Sequence, residues 1–267
     1  MIEHALDEAS RICAATVGAR GYGLAYGSHA TGNAKADSDL DLLFVAPADP
    51  GHGRIARLVD RVIAMHRNHG LRLDHEVSYE VKLYADVTQV DAALALQGFA
   101  STPDGRLHIP ALIAEHSFLN STPFKLRLIF NALTSPHVWL GGNLALYQRH
   151  RGRADRSLGL LALALLDPAE SFTTAQAVAV LTHDPAGAAG KDYLGYASGA
   201  AVYSALRHGL SRLAGERAVT AIDGARYRLH NPVCRRLVAT LAATRPLPRT
   251  ERWCCDNSDA HHRKDTR

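Results

Sequence analysis

The stretch GSHATGNAKADSDLDL, residues 27–42, decides how the first third of this chain is expected to fold. Its first half is rich in Gly, Ser, Asn and Thr, and this composition predicts a loop over residues 27–37. Its second half places Asp39 and Asp41 two positions apart at the start of an apolar run, which predicts a buried strand over residues 40–46. Side chains two positions apart in a strand point to the same side, so we expect both carboxylates to lie together.

Both halves of this stretch contain residues that suit phosphate chemistry. Gly27 follows a short predicted strand at 24–26, and the absence of a Cβ lets the backbone approach a phosphate closely. The hydroxyl group and the backbone amide of Ser28 can then bind that phosphate. Two adjacent carboxylates repel each other unless a cation lies between them, and hard oxygen ligands suit Mg²⁺. The stretch therefore predicts a phosphate site beside a magnesium site.

The segments around this stretch predict a small sheet with helices packed on it. Residues 3–20 and 54–69 carry apolar side chains at helical spacing, and residues 71–85 alternate between apolar and polar side chains as a strand does. The polar face of that strand includes the charged residues Asp74, Glu76, Glu80 and Lys82. One of the three acids can complete a set of three carboxylates, which is enough to hold two Mg²⁺ ions. The lysine can either offset these acids or contact a phosphate.

Beyond about residue 110 the pattern changes to helical spacing. Five segments there are predicted as helices: 125–133, 144–150, 157–166, 174–182 and 191–213. A short alternating run at 225–229 is the one strand expected in this part. We therefore predict an α+β fold class with three parts: an α/β domain over residues 1–110, an all-helical domain over residues 111–245 and a flexible tail over residues 246–267.

Composition and charge exclude several classes of protein. The chain has 267 residues and a formal net charge of +4, with both signs scattered along it. Because no segment concentrates a basic stripe, a nucleic-acid partner is not expected, whereas the mild positive charge suits an anionic substrate. The four Cys residues lack metal-ligand spacing and are expected to be free thiols. The N-terminus has no basic and apolar leader, and the most apolar stretch, 158–166, is about half a membrane span long, so we expect a cytoplasmic protein without a membrane partner.

The combination of Gly27-Ser28, Asp39-x-Asp41 and an acid on a later strand resembles the nucleotidyltransferase superfamily typified by DNA polymerase β. The branch that it resembles acts on small molecules and includes the aminoglycoside and lincosamide nucleotidyltransferases. The resemblance covers roughly residues 20–90 and implies an α/β nucleotidyltransferase core with a mixed sheet. It also implies that Gly27 and Ser28 bind the nucleotide phosphates, and that Asp39 and Asp41 bind both the nucleotide and two Mg²⁺ ions.

The same resemblance assigns the third acid to Glu76. Residues 76–79, Glu-Val-Ser-Tyr, are similar to the Glu-hydrophobic-Thr-hydrophobic strand of streptomycin-type adenylyltransferases, in which that Glu can act as the base. The predicted catalytic and metal-binding set is therefore Asp39, Asp41 and Glu76, with Asp74 and Glu80 as alternatives for the third position. In relatives the helical domain holds the acceptor, and the candidate acceptor-binding residues here are Glu80, Lys82, Lys191 and Tyr193.

The activity implied by this resemblance is Mg²⁺-dependent transfer of a nucleoside monophosphate. The donor is a nucleoside triphosphate, with ATP favoured, and the acceptor is a small molecule such as an antibiotic or a biosynthetic intermediate. Pyrophosphate is released, and the enzyme is a monomer or a homodimer. Two alternatives stay open: transfer to a protein or RNA partner, and a non-catalytic nucleotide-binding module of the same fold.

Overall fold

The computed structural model describes residues 2–35, 38–48, 51–74, 79–101, 107–108, 122–166, 171–182, 199–230, 232–233 and 236. The helices in chain order are α1 (Ile2–Val17), α2 (Ser28–Thr31), α3 (His52–Asn68), α4 (Tyr79–Leu83), α5 (Val87–Leu94), α6 (Thr122–Thr134), α7 (Leu144–Leu166), α8 (Thr174–Thr182) and α9 (Gly199–Gly215). The strands are β1 (Tyr22–Tyr26), β2 (Asp41–Ala46), β3 (Tyr84–Asp86), β4 (Ala100–Ser101), β5 (Leu107–His108), β6 (Val138–Gly142), β7 (Ser171–Thr173), β8 (Val219–Ala221) and β9 (Arg226–Leu229). Of these helices, none combines the length and the apolar character that crossing a membrane requires.

A four-stranded mixed sheet forms the centre of the structure, in the order β3-β2-β1-β6. β1 is antiparallel to both β2 and β6, whereas β2 is parallel to β3. In the pairing of β1 with β2, Tyr26 lies opposite Asp41. The α+β class with a mixed sheet is thereby confirmed, and the register brings the end of β1 next to the first residue of β2.

Two apolar cores lie on opposite faces of this sheet. Because successive strand residues point to opposite faces, β2 sends Leu43 and Val45 into one core and Leu42 and Phe44 into the other. Helices α5 to α9 cover the first core, and α1, α3 and α4 cover the second. Since β2 is covered on both faces, its continuous apolar run correctly predicted a buried strand.

Most predicted helices are confirmed, with shifted ends. α1 and α3 correspond to the predictions at 3–20 and 54–69, and α6 and α8 correspond to those at 125–133 and 174–182. The predictions at 144–150 and 157–166 are two parts of the single helix α7, because the Arg-rich residues between them lack apolar periodicity. α9 contains the second part of the prediction at 191–213, whereas residues 191–198 lie outside the described residues.

The strand predicted over residues 71–85 is wrong for most of the part that the structure describes. Residues 71–74 are irregular, Tyr79 to Leu83 form α4, and β3 begins only at Tyr84. Tyr79 and Leu83 share a side in a strand and also in a helix, where residues four apart are neighbours, so the apolar pattern fitted both. The helix additionally buries Lys82, which is 4% exposed and which a strand would have placed on the polar face.

The prediction that residues 111–245 are all-helical is also wrong. β6 is an edge of the central sheet, and β7, β9 and β8 form an antiparallel sheet of their own, in which β9 confirms the run predicted at 225–229. β6 is short and ends in Gly141 and Gly142, which have φ angles of 130° and 104°. A Cβ at Gly142 would overlap the backbone of Gly21, so the two backbones can approach each other here only because residue 142 is a glycine. A pattern of alternating apolar residues does not reveal such a contact. Where the chain divides into domains stays a prediction.

Candidate active site

The candidate site lies where β1 ends and β2 begins. Asp41 is the first residue of β2 and pairs with Tyr26, the last residue of β1. Asp39 precedes it by two positions, and the chain that follows α3 brings Asp74 to the same place. The structure thus brings together two of the three acids of the quoted stretch, Asp39 and Asp41, and one of the three candidates for the third carboxylate, Asp74.

Gly27 is the point at which β1 turns into α2. Its φ of +75° belongs to the left-handed region that favours glycine, and a Cβ there would overlap Oδ2 of Asp41. The carboxylate of Asp41 therefore occupies the space that any side chain at residue 27 would need. Within the predicted loop, Ser28 opens the one-turn helix α2, in which the amide of Thr31 donates to the carbonyl of Gly27 at 3.1 Å.

Lys82 is at the centre of the acidic cluster, which we define as Asp39, Asp41, Asp74 and Lys82. Its Nζ lies 2.5 Å from Oδ2 of Asp39, 2.6 Å from Oδ1 of Asp41 and 3.0 Å from Oδ2 of Asp74. The lysine side chain is only 5% exposed, whereas the three carboxylates are 19–26% exposed. The ammonium group is thus held inside a ring of acids that itself reaches solvent.

The electrostatics of the cluster follow from this geometry. Burial alone would lower the pKa of Lys82, but the charges of Asp41, Asp74 and Asp39 outweigh it and raise the pKa well above its ordinary value. Burial raises the pKa of the Asp41 carboxyl, the Lys82 ammonium opposes that shift, and Asp39 adds to it. Three carboxylates face one ammonium, so the four groups carry a formal charge of −2 when all are ionised.

His66 on α3 and Tyr79 on α4 fix the backbone of the acidic residues. Burial lowers the pKa of His66, and the neutral ring donates from Nδ1 to the carbonyl of Val62 at 2.9 Å. Its Nε2 accepts the amide hydrogen of Leu40 at 3.3 Å, between the two acids. The hydroxyl of Tyr79 accepts the amide hydrogen of Asp74 at 3.1 Å.

Sequence reasoning missed both of these positioning residues. The sequence places His66 at helical spacing among the apolar residues of α3, and the structure buries it fully. A histidine on an otherwise apolar helical face must bond to something once it is buried, and that was the available signal. Tyr79 gave no comparable signal, because it also fits an apolar position.

The remaining candidate residues fall into two groups. Glu80 is half-buried on α4, two positions before Lys82, so the two side chains project about 200° apart around the helix axis. Glu76, Lys191 and Tyr193 lie outside the described residues. Among the described residues, the third acid in contact with Lys82 is Asp74, one of the two alternatives to Glu76.

The donor chemistry of the cluster fits Mg²⁺, which takes carboxylate oxygens. Its present arrangement serves an ammonium ion, because all three carboxylates converge on Nζ of Lys82. Within the described part of the chain, no three His, Cys, Asp or Glu side chains are grouped, in their present positions, so that they could hold a metal ion. The acids are thus suitable ligands arranged around a different cation.

Comparison with known proteins adds no relative to this picture. No protein-family model matches the sequence, and no curated protein matches it either.

Proposed function

We propose that this protein is a Mg²⁺-dependent nucleotidyltransferase. It transfers a nucleoside monophosphate from a nucleoside triphosphate, with ATP favoured, to a hydroxyl group of a small acceptor such as an antibiotic or a biosynthetic intermediate. The observation that carries the proposal is the convergence of Asp39, Asp41 and Asp74 beside the Gly27-Ser28 turn at one end of a mixed sheet. Three carboxylates next to a turn that can bind phosphate suit the transfer of a phosphoryl group.

The reaction joins the acceptor oxygen to the α-phosphorus and breaks the bond from that phosphorus to the bridging oxygen of pyrophosphate. Asp39, Asp41 and Asp74 are the residues that would hold Mg²⁺, and the ion would supply positive charge to neutralise the triphosphate and the leaving pyrophosphate. Ser28 binds phosphate oxygens at the start of α2. Glu76 is the proposed base that takes the proton of the acceptor hydroxyl, and the proposed acceptor-binding residues are Glu80, Lys82, Lys191 and Tyr193.

The test is an assay of pyrophosphate release and of acceptor mass. The protein is incubated with Mg²⁺, each of the common nucleoside triphosphates and a panel of small hydroxyl acceptors. Asp39→Asn and Asp41→Asn are each expected to slow transfer on the order of 10³-fold, because each removes a charge that balances the ions at the reacting phosphates. Asp60→Asn, at an exposed position on α3, is the matched control and is expected to retain activity. Full activity in both cluster variants would show that the assignment is wrong.

One observation favours a second candidate function, a non-catalytic nucleotide-binding module. Lys82 already pairs with all three acids, and such pairing can by itself stabilise a fold without any metal. Calorimetry together with the assay of pyrophosphate release separates the two candidates. A non-catalytic module binds a nucleoside triphosphate but releases no pyrophosphate with any acceptor. The enzyme binds the nucleoside triphosphate and also releases pyrophosphate.

A further inference from the structure

We propose that Lys82 is a displaceable cation: its ammonium group holds the acidic cluster together until a divalent metal ion takes its place. This inference rests on the proposed function, since it concerns how the same three carboxylates change from one cation to another. It makes Lys82 a positioning residue for the metal ligands.

The first argument is geometric. Nζ of Lys82 lies 2.5, 2.6 and 3.0 Å from one oxygen of each carboxylate, so all three are in direct contact with the ammonium. Mg²⁺ binds oxygen at about 2.0–2.1 Å. The same three oxygens would therefore surround a metal ion after moving inward by less than about 1 Å each. The lysine thus holds together, at nearly the spacing that a metal ion requires, three carboxylates that would otherwise repel one another.

The second argument is the balance of charge. One ammonium leaves the cluster with a formal charge of −2, so it neutralises only one of the three carboxylates. A divalent ion neutralises two of them, and the carboxylates, at 19–26% exposed, can be reached from solvent. The two cations cannot share the central position, because like charges at contact distance repel strongly.

The third argument is the choice of residue. The chain contains 25 Arg and only 5 Lys, yet the cation inside the cluster is a lysine. Its ammonium is a compact point charge on a flexible four-carbon stem, whereas a guanidinium is a planar fork that binds carboxylates in pairs. A lysine can therefore enter and leave a three-carboxylate pocket more easily than an arginine can.

The first experiment measures the amine reactivity of Lys82 in the wild-type protein. Reductive methylation followed by peptide mass spectrometry is performed without metal and with saturating Mn²⁺, in both cases without nucleotide. Methylation of Lys82 is expected to rise at least severalfold with Mn²⁺, because the displaced ammonium reaches solvent. Lys125 on α6 is the internal control and is expected to react equally in both samples. Unchanged labelling of Lys82 in protein that has bound Mn²⁺ would overturn the inference.

The second experiment measures Mn²⁺ affinity by electron paramagnetic resonance in two variants. Lys82→Met removes the charge and keeps a similar length, and it is expected to bind Mn²⁺ at least about tenfold more tightly, because no cation competes for the carboxylates. Lys82→Arg keeps the charge and is expected to bind no more tightly than the wild type. Equal or weaker binding by Lys82→Met would contradict displacement. Should that variant fold only with Mn²⁺ present, the labelling of the wild type still decides the question.

These outcomes separate the inference from the proposed function. Metal binding without exposure of Lys82 overturns displacement and leaves nucleotidyl transfer standing. Displacement of Lys82 without pyrophosphate release supports the inference and overturns the enzyme. The absence of Mn²⁺ binding, with and without a nucleoside triphosphate, overturns both and identifies Lys82 as a permanent structural cation.

Discussion

Two groups of polar side chains lie at opposite ends of β1, and they differ in charge: the group at the end of the strand is charged, whereas the group at its start is neutral. At the end of the strand, Lys82 and its carboxylates meet as charged groups beside Gly27. At the start, the hydroxyl of Tyr22 lies 2.9 Å from Nδ1 of His150, and burial lowers the pKa of that histidine to about 4. The histidine is therefore neutral at neutral pH.

The neutral group extends through a second pair of side chains. Nε2 of His137 lies 2.6 Å from the hydroxyl of Tyr147, and burial lowers the pKa of His137 to about 4 as well. The rings of Tyr22, Trp139 and Tyr147 all pack against one another. Burying a charged group lowers stability unless the charge is paired. The neutral histidine–tyrosine pairs therefore cost less free energy to bury than a cluster of charged groups does. The excess of charge in the acidic cluster is what stability alone does not explain.

Removing the lysine should produce the largest effect on stability. In the presence of a chelator, Lys82→Met is expected to lower the free energy of unfolding by about 3 kcal/mol, because it leaves three carboxylates without their shared counter-ion. This value is at the low end for a buried pair, since each carboxylate keeps contact with solvent. Urea unfolding measures the change, and Lys35→Met, at an exposed position, is the control. Equal stability of the two variants would show that the cluster is not strained by its own charge.

Acid should weaken the other end of β1. The unfolded chain protonates its histidines below about pH 6.5, whereas His137 and His150 stay neutral in the fold down to about pH 4. The free energy of unfolding should therefore fall by about 2 kcal/mol for each of them between about pH 7.5 and pH 5. His150→Asn, in which the amide replaces Nδ1, should remove its share of that fall. A pH profile in His150→Asn that is the same as that of the wild type would contradict the account.

A smaller and more local effect separates two glycines of the quoted stretch. Gly27 and Gly32 have nearly equal φ angles of +75° and +74°, but their ψ angles are −151° and 11°, so an alanine strains the backbone more at Gly27, whose conformation is almost confined to glycine. Only at Gly27 would the added Cβ overlap Asp41, since nothing lies within 4 Å of the corresponding position at Gly32. Gly27→Ala should therefore destabilise the protein by about 1–2 kcal/mol more than Gly32→Ala and should weaken Mn²⁺ binding. Chemical unfolding and metal titration of the pair check this, and equal losses of stability would show that neither the contact with Asp41 nor the backbone conformation of Gly27 matters.

The sequence predicted an element correctly where its pattern of apolar residues is compatible with only one type of secondary structure. The apolar run after Asp41 was long enough to identify β2, and the spacing of two brought Asp39 and Asp41 to one place. Residues 79–83 fitted a strand and a helix equally, and only the folded chain shows that the helix carries Lys82 into the acids. The contact of His66 with Leu40 joins residues 26 positions apart, which no local pattern reveals.

The fit of Gly27 against the carboxylate of Asp41 has a consequence for the history of this sequence. A side chain at residue 27 and the carboxylate of Asp41 would occupy the same space. Substitutions at the two positions are therefore expected to depend on each other, although 13 residues separate them along the chain. A side chain gained at the first position requires a smaller residue at the second, and this would remove a carboxylate from the cluster. Among natural variants of this chain, the glycine and the aspartate should therefore be retained or lost together.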